Sequence, residues 1–75
     1  MEQLVIYIAR SLVDSPDEVK VNTKLGEKST LIELSVAPDD MGKVIGKQGK
    51  IAKAIRKIIK AASIKQNKNY TLEIV

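Results

Sequence analysis

From about Gln48 to Ser63 the chain sorts its aliphatic residues onto one side of a helix and its basic residues onto the other, and that division limits the folds open to it. Ile51, Ile55, Ile58, Ile59 and Ala62 recur at three- and four-residue spacing, while Lys50, Lys53, Arg56, Lys57 and Lys60 take the opposite face. A helix so divided must bury one stripe against another element and leave the other in water. The remaining sequence supplies the partners. Leu4, Val5, Ile8, Ala9 and Leu12 form a second helical stripe, which predicts a helix to about Val13, and Asp14-Ser15-Pro16-Asp17 breaks it because proline disfavours helical geometry in the residue before it.

The period then changes from 3.6 to 2. Val19 and Val21 alternate with Lys20 and Asn22, and Gly26 within the segment Leu25 to Ser29 marks a hairpin loop. In the strand that follows, Ile32, Leu34 and Val36 face inward and Glu33 and Ser35 outward. Ala37-Pro38-Asp39-Asp40 has the composition of a helix start, with an aspartate capping the first exposed N–H groups. This helix must be short, since Gly42 lies inside it and Gly46 is placed to end it with a left-handed residue. Beyond Ser63, Gln66 to Asn69 is a polar turn, and Tyr70, Leu72 and Ile74 alternate with Thr71 and Glu73 as a closing strand.

The order is helix, strand, strand, helix, helix, strand (αββααβ), an α+β domain. A tight hairpin makes the first two strands antiparallel, and the excursion through two helices is long enough to return the third strand parallel to one of them. The expected architecture is a three-stranded mixed sheet with three helices on one face, in one domain spanning residues 1–75. The other face, carrying Lys20, Asn22, Glu33, Ser35, Thr71 and Glu73, is left to water.

Composition narrows the chemistry. There is no cysteine and no histidine, so disulfides, thiolate metal sites, the commonest zinc ligand and the commonest general base are all missing. Asp39 and Asp40 are adjacent acids at a helix start and read as caps, not as a catalytic pair. No catalysis, cofactor, metal or small-molecule substrate is expected. No apolar run approaches the roughly 20 residues that cross a bilayer, and Met1 to Val13 has neither a basic start nor a small-residue cleavage site, so secretion and membrane insertion are not expected.

Charge is unevenly placed. Residues 1–40 hold four basic and eight acidic side chains, a net −4, whereas residues 41–75 hold nine basic and one acidic, a net +8. A basic half of this kind attracts a polyanion. Its focus is Val44-Ile45-Gly46-Lys47-Gln48-Gly49-Lys50-Ile51, where two glycines bracket a basic and an amide residue between two helices. Gly46 permits a sharp turn, and Gly49 removes a side chain where another backbone approaches the unpaired N–H groups of a helix N-terminus. Lys47 and Lys50 add charge suited to phosphate, with Lys43 and Lys53 one turn to either side. Val44, Ile45, Ile51, Ala52 and Ile55 offer an aliphatic trough for bases. A P-loop is excluded, because the glycine spacing is one residue short and Gln48 stands where a magnesium-binding Ser or Thr is required. Tyr7 and Tyr70 are the only aromatic residues, too few for stacking platforms.

The same stretch resembles the VIGxxGxxI core of KH domains, and the element order resembles the type II, or bacterial, arrangement. Leu12 to Val19, Val36 to Lys43 and Ile51 to Arg56 extend the likeness to the KhpA family of short, single-KH bacterial RNA-binding proteins, over nearly the whole chain; Ser15 stands where that family usually has Asn. The resemblance implies a cytoplasmic protein that clamps single-stranded RNA with Gly46, Lys47, Gln48 and Gly49, about four nucleotides at a time, with Lys43, Val44, Ile45, Lys50, Ile51 and Lys53 beside them. It implies a sheet strand as the other wall of the groove, its edge available to base edges. It also implies a post-transcriptional or RNA-chaperone role connected with cell elongation and division, and a homodimer or a heterodimer with a larger KH-domain protein. Ile6 and Val13, at the margin of the first helical stripe, are positions an interface would cover. Basic amphipathic helices also bind anionic lipid, but here the apolar face is needed for the core. The rival reading is a dimeric protein-interaction adapter with only weak RNA contact.

Overall fold

A computed structural model describes all 75 residues. Helix α1 (Glu2–Leu12) leads to strands β1 (Lys20–Leu25) and β2 (Thr30–Ser35), followed by helices α2 (Met41–Ile45) and α3 (Lys50–Lys65) and strand β3 (Tyr70–Ile74). Short 3-10 turns at Pro16–Glu18, Pro38–Asp40 and Lys47–Gly49 precede β1, α2 and α3. The α+β order αββααβ is as expected. Val13 has left the helix for extended geometry, so α1 stops one residue before the predicted end, and α3 runs two residues past Ser63.

The sheet order is β1-β2-β3, antiparallel between β1 and β2 and parallel between β2 and β3. Val21 lies opposite Leu34, and Ile32 opposite Leu72, so the apolar positions of neighbouring strands fall on one face. That face carries the core: Ile32, Leu34, Val36 and Leu72 pack with Val5 and Ala9 of α1, Val44 of α2, and Ile55 and Ile59 of α3. Each large aliphatic side chain removed from water there contributes on the order of 1.5–3 kcal/mol. The helices leave the far end of β1 uncovered, where Leu25 is 88% exposed. On the opposite face Lys24 reaches across to Glu33 at 3.4 Å.

Two expectations need correction. The buried positions of α3 are Ala52, Ile55, Ile59 and Ser63, a stripe turned away from Ile58, which is 47% exposed. Ser63 is tolerated inside because its hydroxyl donates to the Ile59 carbonyl at 2.7 Å. Asp39 and Asp40 do not cap α2, which starts without a side-chain cap. Asp40 is itself in helical geometry and is 2% exposed; its carboxylate accepts from the backbone N–H groups of Asp14 (3.3 Å) and Ser15 (3.0 Å). It ties the turn after α1 to the start of α2.

Candidate nucleic-acid interface

The 3-10 turn at Lys47–Gly49 holds its shape through an unusual run of backbone angles. Gly46 lies at φ 76°, ψ 175°, Gln48 at φ 58°, ψ 25°, and Gly49 at φ 75°, ψ 15°. The Gly46 N–H closes α2 on the Gly42 carbonyl at 2.8 Å, and the Gly49 N–H returns to the Gly46 carbonyl at 3.2 Å. Gly46 occupies a region essentially reserved for glycine. A Cβ there would also sit 2.6 Å from Ile51 Cγ1. The close intramolecular approach in this turn is thus at Gly46, and it comes from the Ile51 side chain. A Cβ on Gly49 would meet nothing within 4 Å, so its outer face is open and only its dihedral angles favour glycine. Gln48 holds the left-handed region without that exemption, at a cost of about 1–2 kcal/mol.

Lys47, Lys50 and Lys53 are exposed around this turn and make no ion pair. Lys43 differs. Its ammonium donates to Asp14 and lies 3.6 Å from Asp40. The hydrogen bond to Asp14 is the largest influence holding its pKa above the usual 10.5; desolvation opposes it, and the charges of Asp14 and Asp40 add smaller contributions that raise it. Of the aliphatic residues expected to line a trough, Val44, Ala52 and Ile55 are buried and Ile51 is half-buried beneath Gly46, leaving Ile45 as the exposed one. Helix α3 starts without a side-chain cap, and the Lys50 N–H at its start is returned to the Lys47 carbonyl within the 3-10 turn.

Running on from the turn, the basic flank of α3 borders the open edge of β3. Arg56 and Lys60 line a cleft there with Ile59, Tyr70 and Leu72, and Arg56 Nε donates to the Leu72 carbonyl at 3.4 Å. Sequence reasoning placed Arg56 among the basic residues but missed this contact, because nothing in a helical repeat reveals which strand a flank will meet. The ion pair joining Asp14 to Lys43 was missed for the same reason: the partners are 29 residues apart.

The family model for the KH domain of KhpA/KhpB matches residues 2–74. The RNA-binding protein KhpA of Clostridium acetobutylicum is 63% identical over 75 residues, all of both chains, and that of Clostridium perfringens is 61% identical over the same span. The RNA-binding protein KhpA of Borreliella burgdorferi is 49% identical over 73 residues, covering 97% of this chain and 89% of its own. No solved structure matches the chain significantly.

Proposed function

The chain belongs to the KhpA/KhpB KH-domain family, and from that membership we propose that it is a single type II KH module that binds single-stranded RNA through the Gly46–Gly49 turn. The observation that carries the reading is the pairing of an open, left-handed turn with three uncompensated lysines, Lys47, Lys50 and Lys53, at the uncapped start of α3. The turn is where a sugar-phosphate backbone meets backbone N–H groups and ammonium groups together. Gly46, Lys47, Gln48 and Gly49 form the clamp, Lys50 and Lys53 extend its charge, and Ile45 and Ile51 give the bases an apolar rest. Lys43 and Val44 support it from behind, one by fixing α2 and the other by anchoring α2 in the core. The family is non-enzymatic, and the activity is binding. No helix is long and apolar enough to cross a membrane, which fits action on RNA in the cytoplasm, in post-transcriptional control or RNA chaperoning linked to cell growth and division.

Replacing Lys47 and Gln48 together with Asp puts two carboxylates where phosphate would lie without touching the core. The expected outcome is loss of RNA binding in a titration, with an unchanged circular dichroism spectrum. Retained affinity in the folded variant removes the turn from the mechanism.

Pairing, with a second copy or a larger KH-domain protein, is part of the same proposal. Ile6 and Val13 are half-buried against the core and need no interface. The second flank of α3 is a better candidate, since exposed Ile58 lies beside exposed Ala54 and Ala61. Sedimentation at micromolar concentration tests self-association, and a monomer that recovers no KH partner from extract ends this part of the reading.

A further inference from the structure

Strand β3 is an edge strand, paired only with β2. The bonds at its ends, Thr30 N–H to the Asn69 carbonyl and Val75 N–H to the Leu34 carbonyl, fix the phase of the parallel ladder. Odd-numbered residues of β3 face β2, so Tyr70, Leu72 and Ile74 turn their N–H and C=O groups toward the open side. There, the cleft of about 270 Å³ between β3 and α3 is floored by Ile59 and Leu72 and flanked by Arg56, Lys60 and Tyr70, with no carboxylate in its lining. A bare strand edge offers a base one donor and one acceptor from the same residue. At Leu72 the acceptor is engaged, because Arg56 Nε donates to it at 3.4 Å. Arg56 has no acidic partner, so its charge is not balanced and its terminal N–H groups are left for a ligand.

Resting on the RNA-binding reading above, we propose that Arg56 sets base preference in this cleft: with the Leu72 carbonyl engaged, the site presents adjacent donors and selects cytosine over adenine. Cytosine places two acceptors, N3 and O2, side by side on its Watson–Crick edge, matching the Leu72 N–H and a terminal guanidinium N–H. Adenine places an amino donor beside N1, and that amino group would compete with the Arg56 guanidinium for the Leu72 carbonyl and face its positive charge. Uracil sets its N3–H between two acceptors and matches only in part. Base-edge pairs of this kind discriminate by about tenfold.

The test is a fluorescence anisotropy titration of the full chain with short oligocytidylate, oligouridylate and oligoadenylate at fixed salt. The expected order is cytidylate, uridylate, adenylate, with about tenfold between first and last. Arg56→Lys keeps the charge but not the planar fork of donors, so it is expected to bring the ratio of cytidylate to adenylate affinity near unity while binding remains salt-dependent. Arg56→Met is expected to lose the ratio and some overall affinity. Circular dichroism establishes that both variants are folded. Equal or tighter binding of adenylate by the native chain overturns the proposal, as does a full preference surviving in Arg56→Lys. If no oligonucleotide binds the native chain, the RNA-binding reading itself fails and this inference with it.

Discussion

Gly46 and Gly49 occupy equivalent places in the sequence motif and different places in the physics. Both have positive φ, but only Gly46 combines it with an extended ψ and a side chain, Ile51, packed where its Cβ would be. Gly46→Ala is expected to cost about 3 kcal/mol from backbone strain and overlap together, against about 1 kcal/mol for Gly49→Ala. Denaturant unfolding of the two variants measures the difference. Adding Ile51→Ala to Gly46→Ala removes the contacts with Cγ1 and Cδ1 and leaves the one with Cβ at 2.9 Å, so the double variant should lose less stability than the two single losses added; simple additivity would remove Ile51 as the cause. That two glycines frame a turn was legible from the sequence. Which one is crowded was not, because the crowding comes from a side chain whose rotamer follows from the folded α3. Lys43 was legible only as one basic residue among many. Its pKa is raised in the fold by Asp14 and Asp40, so the stabilisation it gives is fully present below its ordinary 10.5 and fades as pH rises through the higher folded value. The loss of melting temperature caused by Lys43→Met should thus stay level from neutrality to moderately alkaline pH and shrink only above that. A difference that vanished near neutral pH would contradict the assignment.

At the scale of elements, periodicity located α1, α3 and the three strands, and cap composition and glycines located α2, but the pattern fixed the orientation of α3 only approximately. Ile58 and Ile59 both fit an apolar stripe. The structure buries Ile59 to 1% exposure and leaves Ile58 at 47%, with Ser63 completing the buried line instead. A residue-type pattern cannot see Ser63 as a core position, since it becomes one only by returning its hydroxyl to the Ile59 carbonyl. Ile59→Ala is expected to cost about 2–5 kcal/mol, enough to unfold a small domain, and Ile59→Val about 1 kcal/mol. Ile58→Ala should cost well under about 1 kcal/mol in the monomer, as for an ordinary surface substitution away from the core. Chemical denaturation at low protein concentration separates the three, and equal losses at positions 58 and 59 would mean that α3 is rotated from its place here. The hairpin and the parallel return of β3 were legible because loop length and crossover length dictate them. The link from Asp40 to Asp14 and Ser15 was not, because an aspartate before a helix has the same appearance whether it caps that helix or holds a distant turn.

The whole molecule separates its charges along the chain, and the fold turns that into a surface. The basic excess of residues 41–75 runs from Lys47 at the turn along α3 to the edge of β3, while Asp14 and Asp40 are drawn into ion pairs with Lys43. The cations available to a ligand are therefore fewer than the formal +8 of that half suggests. Lys47, Lys50 and Lys53 cluster at the turn, and in the proposed complex a groove for about four nucleotides meets about three phosphates. Releasing the counterions of three phosphates on a single strand gives a slope of log affinity against log salt of roughly −2. A titration series across monovalent salt concentrations measures it. A slope near zero would mean that the lysines of the turn do not meet phosphate. A slope several times steeper would mean that Lys57, Lys60 and the outer lysines join the contact, or that two copies bind one strand, and sedimentation of the complex tells these apart. Lys47→Gln should flatten the slope by about 0.7, one phosphate on a single strand, whereas Lys43→Gln should leave it nearly unchanged because its charge is already balanced within the fold. The contrast between two lysines four residues apart is thus a direct reading of which face of the molecule the RNA meets.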